Sequence, residues 1–235
     1  LFGLVEYWTL RILCPFLNFD FMPIAYLDTA SGIAGDMMLA ALVDAGASAK
    51  EIERKIQSLG LPKVQLHFSE TFRCGFRSLQ LEVRYPPEHV CRGLGQIESM
   101  IEQGALEAKE KELALRIFRK IGQVEARVHG VPIESVHFHE VGAVDSIADI
   151  VGVSIGITAL GIERVFSGPP ALGTGSISIA HGSVSVPAPA TAELLLGVPL
   201  RASHISAELT TPTGAAILTT LSDQYGPMPS MKVVA

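Results

Sequence analysis

The run Ser135–Leu160, SVHFHEVGAVDSIADIVGVSIGITAL, sets the reading of the fold. From about Ala143 to Leu160 the residues are apolar on nearly every face of a helix, the pattern of a helix buried on all sides. The residues before it alternate as a short strand does. His137 and His139 fall on one side of that strand, and Phe138 and Glu140 on the other. Asp145 and Asp149 then stand one helical turn apart, and their stripe continues through Gly152 and Gly156. Small residues on a stripe let another backbone or a bulky ligand approach closely.

Working outward, Pro23–Asp28 reads as a buried strand, and LDTASGIAGDM (27–37) as a glycine-bearing loop opening a helix over Met37–Ala45. Gly46 closes that helix. Ser48 with Glu51 three residues later forms a capping box for a second helix that ends near Gly60. VQLHFSETF (64–72) and SLQLEVRY (78–85) alternate and predict a β-hairpin turning at Arg73–Phe76. PPEHVCRG (86–93) reads as a linker. A long amphipathic helix follows, with Leu113, Ile117, Ile121, Val124 and Val128 on one stripe and Gly130 as its stop. Later, GSISIA and SVSVP predict a second hairpin around His181-Gly182. Pro189 and Pro212 occupy first helical positions, and Thr211 is the expected N-cap of the second of these helices. Strands and helices intermix throughout, so the expected class is α/β (α+β): a mixed sheet with helices packed on it, one long and amphipathic, one apolar and buried.

Bulk numbers narrow the function. Of 235 residues 48% are hydrophobic and 18% charged, as in a well-buried globular chain. A net charge of −6 with no Lys/Arg cluster argues against nucleic acid as a partner. The first 21 residues lack the basic start and cleavage site of a signal peptide and are too interrupted for a membrane span. They read as a leader or misassigned start outside the domain. The domain itself then covers 22–235, with subregions 22–85 and 93–235 joined by 86–92. Cys14, Cys74 and Cys91 form no C-x-x-C pair, which points to a reducing cytoplasm. Cys14 and Cys74 are expected as small buried residues.

The chemistry-bearing residues gather in few places. Two imidazoles about 7 Å apart on one strand face can converge on one cation if further ligands are supplied. Asp145 and Asp149 are the nearest candidates. The alternative is that the four satisfy one another inside a core. Desolvating that many polar groups is costly, so a metal or catalytic site is the better reading. Imidazole with carboxylate suits Ni, Zn or Fe. The loop around Ser31, Gly32 and Gly35 can present N–H groups to an anion, as can the helix start at Thr211 and Thr213. It is neither a Walker A nor a G-x-G-x-x-G loop. His181 lies at a turn, and His89 two residues before Cys91 in the linker.

Taken together, AYLDTASGIAGDMMLAALVDAG (25–46), VHFHEVGAVDSIADIVG (136–152), GTGSISIAHGSVSVPAPAT (173–191) and ELTTPTGAA (208–216) resemble the successive signatures of the LarC-type nickel insertion proteins. The likeness runs from Met22 to about Lys232. It implies a cytoplasmic enzyme that inserts nickel(II) into pyridinium-3,5-bisthiocarboxylic acid mononucleotide, in a CTP-dependent cyclometallation that yields the nickel-pincer nucleotide cofactor. On that resemblance His137, His139, Asp145, Asp149 and His181 are candidates to hold nickel. His139, Glu140 or Asp145 would take the proton displaced from the ring carbon. Ser31, Gly32, Gly35, Thr211 and Thr213 would hold the mononucleotide. The resemblance also implies a C-terminal region tied to CTP binding and oligomerisation, as a partner of this part. Members often carry a histidine-rich tract where this chain has only His89 and Cys91. A metal-dependent hydrolase with an H-x-H site and a non-catalytic nickel carrier are the competing readings.

Overall fold

The computed structural model of the chain describes residues 2–6, 23–88, 90, 92–138, 141–179 and 182–234, with 2–6 and His137 described by backbone alone. His89, Cys91, His139, Glu140 and His181 therefore lie outside the described residues, as does Cys14.

The elements in chain order are β1 (Phe2–Glu6), β2 (Pro23–Leu27), α1 (Gly35–Asp44), α2 (Ala49–Gln57), β3 (Gln65–Arg73), β4 (Phe76–Arg84), β5 (Arg92–Gly93), α3 (Leu94–Gln103), α4 (Ala108–His129), β6 (His137–Phe138), α5 (Val144–Ala159), β7 (Arg164–Ser167), β8 (Ser176–Ile179), β9 (Gly182–Ser185), α6 (Pro189–Leu194), α7 (Pro212–Leu221), β10 (Gln224–Tyr225) and β11 (Lys232–Val233). One sheet has the order β10-β7-β2-β1-β11. Strands β10, β7 and β2 run parallel, whereas β1 is antiparallel to both β2 and β11. Three antiparallel pairs, β3-β4, β5-β6 and β8-β9, stand apart from it. The class is the mixed one expected. Of residues 1–21 only Phe2–Glu6 are described, so the separate status assigned to that segment is left as a proposal.

Helix α5 is the axis of the molecule. Ile147, Ala148, Ile150, Val151 and Val153 are wholly buried, with α1, α2, α4 and α7 packed around them. An all-round apolar surface leaves a helix no solvent face, so the surrounding helices must cover it. The glycine stripe explains how closely they come. A Cβ on Gly152 would stand 2.5 Å from a Leu39 methyl, and one on Gly156 3.1 Å from the Leu42 Cβ. The small residues therefore admit helix α1, not a ligand.

Helix α4 departs from the predicted single stripe. Ile117, Ile121 and Val124 are buried as expected, but Val128 is exposed, and Leu115 and Phe118 are buried as well. The reason is that α4 is covered from several sides by α3, α5, α6 and α7, which widens its apolar face. The helix is also preceded by a separate one, α3, which the periodicity did not single out. Gly104 divides the two where a Cβ would sit 2.6 Å from a Leu59 methyl.

Local chemistry behaves as the sequence predicts in several places. Ser48 accepts a hydrogen bond from the Glu51 N–H at 3.3 Å, and Thr211 accepts one from the Gly214 N–H at 3.1 Å. The first hairpin turns through Cys74 and Gly75, both at positive φ (50° and 83°) as a two-residue turn requires. That placement corrects one expectation. Cys74 is exposed, because a turn tip holds its side chain away from any core.

Candidate functional site

Two motifs far apart in sequence, 27–37 and 208–216, close on each other to build the site. The Ile33 N–H donates to the Leu209 carbonyl at 2.9 Å, and the Thr211 N–H donates back to the Ile33 carbonyl at 3.1 Å. Glycine is required at this seam. Gly32 has φ +87°, and a Cβ there would lie 1.9 Å from the Leu209 carbonyl oxygen. A Cβ at Gly214 would lie 2.0 Å from the Ile33 carbonyl oxygen. The zippered loops bring the N-termini of α1 and α7 beside that of α5.

Between these three helix starts lies a pocket of about 380 Å³, lined by the carboxylates of Asp36, Asp145, Asp149 and Glu208 together with Thr211, Thr213 and Val141. Asp36 and Asp145 occupy the first turns of α1 and α5, where the helix dipole favours negative charge. Each accepts within its own first turn: Asp36 Oδ1 from the Met37 N–H at 2.8 Å and Asp145 Oδ1 from the Ser146 N–H at 2.7 Å. Asp145 is exposed, but Asp149, one turn deeper, retains only 9% of its exposure.

Asp149 is the anomaly of the pocket. Its Oδ1 is buried and has no hydrogen-bond partner among the described residues. Burial pushes its carboxyl well above the usual range, and the neighbouring Asp36 and Asp145 carboxylates push further; a hydrogen bond from the Asp36 backbone opposes them. A buried acceptor left without a donor costs stability, so the arrangement needs a reason beyond folding. Gly35 sets it in place. A Cβ at that position would meet Asp149 Oδ2 at 2.7 Å and Thr213 Cγ2 at 2.9 Å. We expect Gly35→Ala to cost about 1–3 kcal/mol through overpacking and to displace the carboxylate; urea denaturation at wild-type stability would refute that account.

The predicted site residues distribute as follows. Asp145, Asp149, Gly35, Thr211 and Thr213 come together around this pocket. Thr211 is engaged as the cap of α7, and Thr213 is buried. Gly32 lines a neighbouring cleft, and Ser31 is exposed on the same loop. Much of that loop's amide capacity is already used. The N–H groups of Ala30, Gly32 and Ile33 donate to Asp28, Thr29 and Leu209. Of the histidine segment, Phe138 is buried with its ring 6.5 Å from that of Phe118, which fastens β6 to α4. The side chain of His137, and His139, Glu140 and His181 entirely, lie outside the described residues. Val141, the residue that follows Glu140 in the sequence, lines the pocket. Among the described residues no three His, Cys, Asp or Glu side chains are grouped so as to hold a metal ion.

Sequence reasoning missed Arg92, which it placed in a linker. Arg92 is buried, and its guanidinium donates to both Glu88 carboxylate oxygens (2.6 and 3.0 Å) and to the Gly142 carbonyl (3.1 Å). With the β5-β6 pairing it ties both flanks of the histidine turn. A planar fork engaging three acceptors is a role lysine cannot copy. Tyr85 stands close by, its hydroxyl pushed up by burial and then by Asp145 and Glu88. The one available signal was an arginine with a glutamate four residues before it.

Residues 25–235 match the family model described as nickel insertion protein. A Rhodopirellula baltica protein named for nickel insertion is 51% identical over 207 residues, 88% of this chain and 52% of that protein. The pyridinium-3,5-bisthiocarboxylic acid mononucleotide nickel insertion proteins of Desulfitobacterium hafniense and Geobacillus kaustophilus are 48% and 45% identical, over 90% and 91% of this chain and 53% and 54% of theirs. The chain thus spans about half the length of the curated relatives it matches. No solved structure matches it. Among the described residues no helix is long and apolar enough to cross a membrane. On the match across nearly its whole length, the chain belongs to the nickel insertion protein family.

Proposed function

We propose that this chain supplies the nickel-handling part of a cytoplasmic insertase that places nickel(II) into pyridinium-3,5-bisthiocarboxylic acid mononucleotide. The observation that carries the reading is the buried, unpartnered Oδ1 of Asp149 in a pocket with Asp36, Asp145 and Glu208. The described carboxylates are not by themselves grouped to hold a metal ion, so a cation bound here takes further ligands from outside them; it would compensate burial and mutual repulsion together. Nickel is the cargo here, and neutral imidazole beside carboxylate is a suitable donor set for it. His137, His139 and His181 would complete the ligands begun by Asp145 and Asp149.

In the reaction two thiocarboxylate sulfurs and one ring carbon bind nickel, which remains Ni(II). The ring C–H breaks, and its proton must leave with a base of the site. His139, Glu140 and Asp145 are the candidates for that step. CTP dependence and a role for a further region of the family length are part of the same proposal.

Isothermal titration with Ni(II) and Zn(II) tests the reading. Wild type should bind nickel, and His137→Ala/His139→Ala and Asp145→Asn/Asp149→Asn should each weaken it at least about tenfold, since even outer partners of metal sites cost that much. Wild-type affinity in both double variants would reject the site. Nickel binding without cofactor formation, in the presence of the thiolated substrate, CTP and the full family length, would favour a carrier instead.

A further inference from the structure

A second cleft, of about 580 Å³, runs between α1 and the β3-β4 hairpin. It is not independent of the acid pocket, because Asp36 and Leu81 line both. The middle of the cleft is apolar, with Met37, Ala40, Ala41 and Leu79 on its walls. Among the described residues, the cations that line the two spaces are Arg73 and Arg77, both from the hairpin. Arg77 is engaged: its guanidinium bonds Asp44 at 2.8 and 3.1 Å and Glu70 at 2.8 Å. The Arg73 guanidinium makes no hydrogen bond or ion pair with any described residue.

We propose that this cleft holds the ribose-phosphate arm of a pyridinium mononucleotide, with the phosphate against Arg73 and the ring reaching past Asp36 into the acid pocket. The inference rests on the substrate reading above and adds to it where each end of the ligand lies. Charge decides the orientation. A phosphate placed at the α7 start would face Asp36, Asp145, Asp149 and Glu208 with no Lys or Arg among the described lining, and like charges in a confined space repel strongly. The larger cleft also carries Asp28, Asp36 and Asp44, but sets Arg73 and Arg77 beside them, with Asp44 already held by Arg77. The 28–33 loop has little to offer an anion, since its N–H groups at Ala30, Gly32 and Ile33 are already donated. Arg73 is the spare fork in the composite cleft, and a guanidinium matches phosphate oxygens in pairs. The combined volume suits a mononucleotide, as ligand sites run to several hundred Å³.

Nicotinamide mononucleotide and its phosphate-free riboside are the probes, titrated into wild type and Arg73→Ala at low salt. Wild type should bind the mononucleotide about tenfold more tightly than the riboside, the contribution of one charge-assisted pair. Arg73→Ala should abolish that difference, leave riboside affinity within about twofold, and be partly rescued by Arg73→Lys. Raised salt should shrink the difference. Equal weakening of both probes, an unchanged mononucleotide affinity, or no binding of either probe overturns the inference. Arg73 is exposed at the end of β3, so an unchanged melting curve for the variant is expected and checks that the fold is intact. Nickel titration of wild type fails or succeeds independently of these probes, so the nickel reading and the phosphate assignment can be rejected one without the other.

Discussion

Glu110→Ala is expected to lower the unfolding free energy by about 3–5 kcal/mol, the usual cost of leaving one half of a buried ion pair. Glu110 on α4 is almost wholly buried, and it accepts from Lys55 Nζ of α2 at 2.6 Å. Its other oxygen accepts the Glu107 N–H at 2.8 Å, closing a capping box at the start of α4. Lys55 is also buried, with a second contact to the exposed Glu107 carboxylate at 3.2 Å. Burial pulls the Lys55 pKa down, but the hydrogen bonds it donates to Glu110 and Glu107 outweigh it, and the net direction is upward. That contribution is fully present below 10.5 and lost only as pH rises through the folded value, so neutral pH leaves the pair intact. A removed carboxylate therefore strands a buried ammonium. The paired change Lys55→Met/Glu110→Leu removes both charges and should cost far less, chiefly about 1 kcal/mol for the lost cap. Urea denaturation of the three proteins reads this directly. A double variant as unstable as Glu110→Ala would show that packing, not the stranded charge, sets the cost.

Asp149→Asn should do the opposite to stability while removing nickel affinity. Its carboxyl is raised in the folded state, so the native protein holds that proton more tightly than the unfolded chain does. Wild-type stability from this group is full below 3.8 and falls as pH rises through the folded value. Asparagine has no such loss. The variant should match wild type in acid, gain as pH rises, and stand about 0.5–2 kcal/mol above it at neutral pH, as stabilising changes at functional sites do. Thermal melts across pH with nickel titrations alongside test both halves. A variant less stable than wild type at neutral pH would mean that Asp149 serves the fold and not a ligand.

Local signals were legible because they need only neighbours. The Ser48 and Thr211 caps, the Cys74-Gly75 turn, the second hairpin and the extent of α5 all rest on residues a few positions apart. The apolar run of α5 also announced its own burial, since no other environment accepts a helix without a polar face. Asp145 and Asp149 were recognised as a pair for the same reason: one helical turn separates them. Even the candidate pocket was half visible, in Asp149, a carboxylate one turn inside an apolar helix and beyond the first turn that favours Asp145.

What could not be read were contacts between residues distant along the chain. Nothing in the spacing of Lys55 and Glu110 announces an ion pair, and nothing in 86–93 shows that Arg92 ties down the Gly142 turn. The loop of 27–37 looked like an anion cradle in isolation, yet its donors are spent, partly on the 208–211 segment that zips against it. Gly32 and Gly214 are points of close backbone contact between segments, and Gly35 is where the Asp149 side chain packs, which no local pattern announces. The sequence alone therefore established the principal elements, the Ser48 and Thr211 caps and the resemblance to the family; helix α3 and the meeting of three helix starts around Asp149 were decided in three dimensions. Periodicity and capping are properties of neighbouring residues, whereas a carboxylate becomes a buried, unpartnered acceptor only when segments more than a hundred residues apart close over it.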